Sequence, residues 1–226
     1  DAVKKGGRGD QDVSHIHVIG AGTMGGDIAA VAAMSGFEVT LQDISADAVD
    51  RAIERARILY ERRLKAPQKV EAAMARLRAD AGGEGLASAD LLIEAVAEDL
   101  AIKKAVFADA ESKMKPGAIM ATNTSAIPLE DIGAALNDPA RLIGMHFFNP
   151  VPVLPLVEVV YTDASDGSFL DRAMYVCGAL KKLPVRCKSA PGFLVNRALL
   201  PYVFKAVEAM LNGADPDRID QALIGL

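Results

Sequence analysis

From Ser14 onward, short runs of consecutive apolar residues alternate with longer stretches whose apolar positions recur every three or four residues. Runs bounded by Gly or polar residues suit strands buried on both faces, and the longer stripes suit helices that cover them. Strands are therefore expected at His15–Ile19, Glu38–Gln42, Leu91–Ala95, Ala118–Ala121, Leu142–Met145, Leu156–Val160 and Val185–Cys187. A helix follows the first strand and ends at Ser35–Gly36, where glycine supplies a natural C-terminal stop. Ser45 can cap the next helix, whose stripe is Val49, Ala52, Ile53, Ala56, Leu59 and Leu64. Pro67 interrupts it, and Val70, Ala73, Met74 and Leu77 form a second, shorter stripe, so the pair reads as an inserted helical hairpin. Another helix is expected from about Asp99 to Met114, stopped by Pro116–Gly117. Such alternation implies an α/β fold with a doubly wound, mostly parallel sheet.

The pattern changes at Pro191. Phe193 to Leu211 reads as one long helix, kinked at Pro201 and closed by Gly213. Asp215–Pro216 then opens another, Asp as cap and Pro in the first turn. The expected division is a polar, Gly-rich linker at 1–13, an α/β domain at 14–190, and the first helices of an incomplete all-α domain at 191–226. Leu199, Val203 and Leu211 would be left facing outward on those helices.

Half of the 226 residues are hydrophobic, enough for one good core. A net charge of −5 argues against nucleic acid as the main partner, because phosphate binding needs a surplus of Lys and Arg. The apolar run Val151–Val160 contains Pro152, Pro155 and Glu158 and is no membrane span. Cys177 and Cys187 suit reduced packing thiols in a cytoplasm-like compartment, and no metal ligand set is expected. One local departure is the hairpin, where nine Lys or Arg stand against three Glu between Arg51 and Arg78. That surplus is either a solvated face or a platform for a phosphorylated ligand.

The chemistry begins at Gly20-Ala21-Gly22-Thr23-Met24-Gly25, which follows a strand and opens a helix. Gly20 permits the tight turn, Gly22 lets backbone approach a pyrophosphate, and Gly25 allows close helix–strand contact. The helix N-terminus at Thr23 and Met24 offers free N–H groups to phosphates. Asp43, at the end of the second strand, can hold the ribose hydroxyls and repel a 2′-phosphate, favouring NAD over NADP. Asp27 is awkward there, because a carboxylate in the first helical turn opposes a pyrophosphate unless it faces away.

His15 and His17 lie in or beside the first strand and read as structural. His146 lies just past a strand, at the carboxyl end, where open sheets place their chemistry. Asn123-Thr124-Ser125 follows another strand end. Glu158 is the charged residue inside an apolar strand, and burial requires a partner: an imidazole, or a distant Lys or Arg.

With these residues in view, the chain resembles the L-3-hydroxyacyl-CoA dehydrogenase family over essentially its whole length from Ser14. The matching segments are GAGTMGG, AVAEDLAIK, TNTSAIP, HFFNPVPVLPLVEVV and PGFLVNR. Gly25-Gly26-Asp27 and the preceding linker also resemble the multifunctional fatty-acid oxidation enzymes. The resemblance implies a Rossmann-type fold, NAD as cofactor and an acyl-CoA substrate. It implies His146 as general base, Glu158 as its orienting partner, Ser125 and Asn196 at the substrate's 3-hydroxyl and thioester, and Asn149 in support. Glu98, Lys103 and Asn123 fall at positions that meet NAD, and Asp43 at the adenosine ribose. It further implies a homo-oligomer through the helical domain, or neighbouring domains of a multifunctional chain. Two rival readings stay open: a β-hydroxyacid dehydrogenase of small free acids, which would rely on a catalytic Lys, and an NAD-binding protein without turnover.

Overall fold

A computed structural model describes residues 13–224. Eight strands form one sheet: β1 (His15–Ile19), β2 (Glu38–Gln42), β3 (Leu77–Ala79), β4 (Leu91–Glu94), β5 (Ile119–Thr122), β6 (Leu142–Phe147), β7 (Leu156–Tyr161) and β8 (Leu183–Lys188). Their order is β3-β2-β1-β4-β5-β6-β7-β8. Every pairing is parallel except β6 with β7. The chain winds outward from β1 in both directions, so a crevice opens between the carboxyl ends of β1 and β4. Ile16, Val18, Val39, Leu41, Leu91 and Ile93 are fully buried, as expected for strands covered on both faces.

Helix α1 (Thr23–Met34) leaves the end of β1, and α2 (Ala46–Leu64) starts at Ser45, whose side chain accepts from the Ala48 N–H. Buried Tyr60 donates its hydroxyl to the Ala30 carbonyl at 2.9 Å, pinning α2 to α1. The hairpin's second arm is α3 (Pro67–Arg76), with Pro67 in its first turn. Helix α4 (Leu100–Lys113) sits between the expected ends, Asp99 capping it through Ile102 N–H and Met114 closing it. Short α5 (Leu129–Gly133) follows β5, and α6 (Gly167–Ala179) makes the crossover that the parallel pair β7–β8 requires.

Three expectations need correction. Leu77 leaves the helical stripe and opens β3, because three residues pairing with β2 are too few to show a strand period. His146 lies inside β6, not past it, since the antiparallel partner β7 extends the ladder to Phe147. Phe193 does not begin the long helix: it takes a positive φ of 48°, and α7 (Val195–Leu211) starts two residues later. Pro201 is inside α7 as expected, and Asp215 accepts from Asp217 N–H at the start of α8 (Pro216–Ile224).

Helix α7 contains no buried residue, and Leu199, Val203 and Leu211 are exposed. The expected linker falls, apart from Val13, outside the described residues. Both cysteines are free, and burial pushes their thiols up, to about 12 for Cys177 and about 11 for Cys187. No helix among the described residues is long and apolar enough to cross a membrane.

Candidate active site

The glycine turn after β1 is shaped by contacts that only hydrogen tolerates. Gly20 has φ +104°, and a Cβ there would lie 2.5 Å from the Ala95 carbonyl oxygen. A Cβ on Gly25 would lie 1.8 Å from the Gly20 oxygen, which is the close helix–strand contact expected of it. Gly22 is different: nothing lies within 4 Å of its missing Cβ, so its open side faces free space. It is the N-cap of α1, and no side chain caps the first N–H groups of that helix. The amides at Thr23 and Met24 thus begin an uncapped helix end that attracts anions. Asp27 falls in the second turn of α1, not in the first turn where the sequence placed it.

Asp43 closes this end of the site. Its Oδ2 accepts from Ala21 N–H at 2.6 Å and its Oδ1 from Ser45 N–H at 2.9 Å. The carboxylate therefore also fixes the glycine turn, a role the sequence did not reveal. A groove of about 450 Å³ runs along this edge, lined by Gly20, Gly22, Asp43, Ile44, Ala95 and Val96 among others.

A second cavity of about 330 Å³ shares Ala95 and Val96 with the first, so the two adjoin across the carboxyl ends of the strands. Its walls bring together Met24, Glu98, Lys103, Asn123, Ser125, His146 and Asn149. These residues lie in or after four different strands, β1, β4, β5 and β6, yet all were singled out from sequence. Asn123 ties β5 to β6 by accepting the Phe147 N–H at 2.9 Å. Asn196, in the first turn of α7, reaches the Ser125 carbonyl at 3.4 Å.

Behind the cavity wall, His146 Nδ1 lies 2.6 Å from Glu158 Oε2. The two residues are direct partners in the antiparallel β6–β7 register, so their side chains share one face of the sheet. Glu158 is fully buried and His146 is 7% exposed. Oε1 of Glu158 is used as well, accepting from Leu194 N–H at 2.9 Å and Val195 N–H at 2.8 Å. The start of α7 thus places its positive end on the acid. Phe193 and Phe148 flank the imidazole, with ring centroids 5.8 Å and 4.5 Å away. A carboxylate can only accept, so Nδ1 carries the ring proton and Nε2 is left with a free lone pair.

The floor is a network of charge, buried at Glu94 and Lys103 and exposed at Glu98, that sequence reading caught only in part. Glu94, fully buried at the end of β4, accepts from Lys103 Nζ at 2.7 Å, Thr122 Oγ1 at 2.7 Å and Val96 N–H at 2.8 Å. Lys103 is also 3.3 Å from Glu98, so its ammonium is held between two carboxylates. Glu98 in turn accepts from Thr124 Oγ1 at 2.5 Å and Ser125 N–H at 2.9 Å. Burial works against the Glu98 charge, but these hydrogen bonds and Lys103 win and hold its carboxyl below the usual range. Glu94 was missed, although an acid ending the apolar run Leu91-Leu92-Ile93 gives the same signal that marked Glu158.

Comparison with known proteins bears on this arrangement. A family model described as "3-hydroxyacyl-CoA dehydrogenase, NAD binding domain" matches residues 15–190. The chain is 41% identical to the 3-hydroxyadipyl-CoA dehydrogenase of Escherichia coli, over 94% of its own length and 46% of that protein's. It is 37% identical to the fatty acid oxidation complex subunit alpha of Acinetobacter baylyi, over 97% of this chain and 31% of that one. The crystal structure of (S)-3-hydroxybutyryl-CoA dehydrogenase from Ralstonia eutropha superposes with a TM-score of 0.88 at 31% identity, covering 92% of this chain and 75% of that one. The chain spans less than half the length of the first two relatives.

Proposed function

The chain belongs to the 3-hydroxyacyl-CoA dehydrogenase family, and from that premise we propose that it oxidises an L-3-hydroxyacyl-CoA to the 3-ketoacyl-CoA in fatty-acid β-oxidation. The observation that carries this reading is the buried His146–Glu158 pair beside a cavity that adjoins a glycine-rich phosphate turn.

The residues fit NAD. Gly22 leaves backbone open to a pyrophosphate, the uncapped start of α1 at Thr23 and Met24 attracts it, and Asp43 stands where the adenosine ribose would lie. Gly20 and Gly25 let the turn close, while Glu98, Lys103 and Asn123 would meet the nicotinamide half. NAD, when bound, supplies the acceptor for a hydride from C3 of the substrate. The remaining work is proton transfer and alignment by this chain. His146 Nε2 takes the proton of the 3-hydroxyl, and the imidazolium so formed is stabilised by Glu158 through Nδ1. Ser125, on the cavity wall, and Asn196, whose side-chain N–H donates to the Ser125 carbonyl, align the hydroxyl and thioester, with Asn149 in support.

Residues 191–226 are read as the first helices of a second, all-α unit, because α7 buries none of its own side chains. In that arrangement the acyl chain lies between the two units, and partners are a second copy or neighbouring domains of a multifunctional chain, as in a protein named a fatty acid oxidation complex subunit. A cytoplasmic location agrees with two free thiols.

The test is His146→Gln. Turnover with an acyl-CoA substrate should drop at least ~10²-fold while NAD affinity is kept, the usual reach of general-base help being ~10²–10⁴. A variant that retains most of its activity removes His146 from the mechanism.

A further inference from the structure

Gly26 has no place in the glycine pattern that explains Gly20, Gly22 and Gly25. The structure gives it one. A Cβ at Gly26 would lie 2.7 Å from Arg55 Nη2 and 2.9 Å from the Ala52 Cβ. The missing side chain therefore lets α2 pack closely on α1 and lets the Arg55 guanidinium lie across the first turns of α1. From there, Nη2 donates to the Gly22 carbonyl at 3.1 Å, the same oxygen that accepts the Gly26 N–H at 3.0 Å. Arg55 is thus tied to the N-cap residue of the phosphate turn.

Its neighbour in charge is Asp27. Half-buried in the second turn of α1, Asp27 is pushed up by burial, and the Arg55 charge offsets only part of that rise. An uncompensated carboxylate so near the start of α1 would cancel part of the positive end that a pyrophosphate needs. A guanidinium is suited to the opposite task, being permanently charged and weakly hydrated.

We propose that Arg55 is a positioning and charge-balancing residue for the dinucleotide: it holds the Gly22 carbonyl and offsets Asp27, so that the mouth of α1 stays electropositive toward the pyrophosphate. The inference rests on the reading of the site as an NAD site. It also gives the basic hairpin a definite role at one position, where the sequence left a solvated face or a ligand platform open.

The experiment is direct titration of the protein with NAD, followed by fluorescence or calorimetry, in the wild type, Arg55→Met, Asp27→Asn and the double variant. A melting curve for each variant checks the fold. Arg55→Met should weaken NAD about fivefold, the scale of one partly screened charge at a helix start. Asp27→Asn added to it should restore most of the loss, which a merely structural arginine would not allow. Unaltered affinity in Arg55→Met, or a loss that Asp27→Asn leaves standing, overturns the proposal. A wild type that takes up no NAD defeats the underlying reading of the site instead.

Discussion

His146 and Glu158 face each other directly across the one antiparallel ladder of the sheet, 2.6 Å apart. The reversal of β7 is what makes this possible, because opposed residues in such a ladder share a face. Glu158 is also the acceptor for the first amides of α7, at Leu194 and Val195. One carboxylate thus orients the base with one oxygen and anchors the helical segment with the other. Glu158→Gln should reduce kcat by about 10²-fold or more, the range for loss of a group that orients a catalytic imidazole. Hydrogen exchange at the Leu194 and Val195 amides should speed up in the same variant. Normal turnover together with unchanged exchange would show that neither oxygen matters.

Asp43 carries two tasks that a single substitution should separate. Its position in the groove predicts NAD over NADP, and its bonds to Ala21 and Ser45 hold the glycine turn. Asp43→Ala should weaken NAD and narrow the gap to NADP, because the charge that repels a 2′-phosphate is gone. Asp43→Asn keeps an acceptor oxygen for the turn, so it should lose discrimination while retaining more of the NAD affinity. Identical NAD-to-NADP ratios in all three proteins would count against the ribose assignment.

Much of this was legible in the sequence, and the misses share physical causes. The strands β1, β2 and the helix α4 were readable because burial on both faces and the Asp99 cap leave clear marks. The edge strand at Leu77–Ala79 left none, since its structure comes from pairing with β2 rather than from local pattern. His146 and Glu158 could be singled out separately, but their meeting depends on register, which only the folded sheet supplies. The link from Glu158 to α7 depends on the left-handed turn at Phe193, a conformation no propensity favours in an aromatic residue. Arg55 was invisible for another reason: it stood within a run of surface charge, and only its contact with the N-cap sets it apart.

Glu94 should be more important to stability than to chemistry. It and Lys103 are both essentially without solvent contact, so removing one leaves the other charge buried without its main partner. Glu94→Leu should cost about 3–5 kcal/mol in urea unfolding. Glu94→Leu combined with Lys103→Met should cost less than Glu94→Leu alone, despite changing two residues. A double variant worse than the single one would mean that the hydrogen bonds to Thr122 and Val96, and not charge pairing, set the cost.

His17, on the interior strand β1, bears on acid stability. Its Nε2 lies 2.9 Å from Gln42 Oε1, to which it donates, leaving Nδ1 to accept from Thr40 Oγ1 at 2.8 Å. That hydroxyl can accept in turn from His15 Nε2, also at 2.8 Å. The chain of donors works with neutral rings, and a proton on His17 Nδ1 would turn its acceptor into a second donor facing Thr40. Burial pushes both imidazoles below their ordinary value, more than Asp80 near His17 can offset. The unfolded chain therefore takes up protons first as pH drops below about 6.5, and stability falls from there toward the lower folded-state values. Urea midpoints should decline between about pH 7 and pH 5, with a shallower decline in His17→Gln even though that variant starts less stable at neutral pH. Parallel declines in the two proteins would show that His17 does not take part in the acid transition.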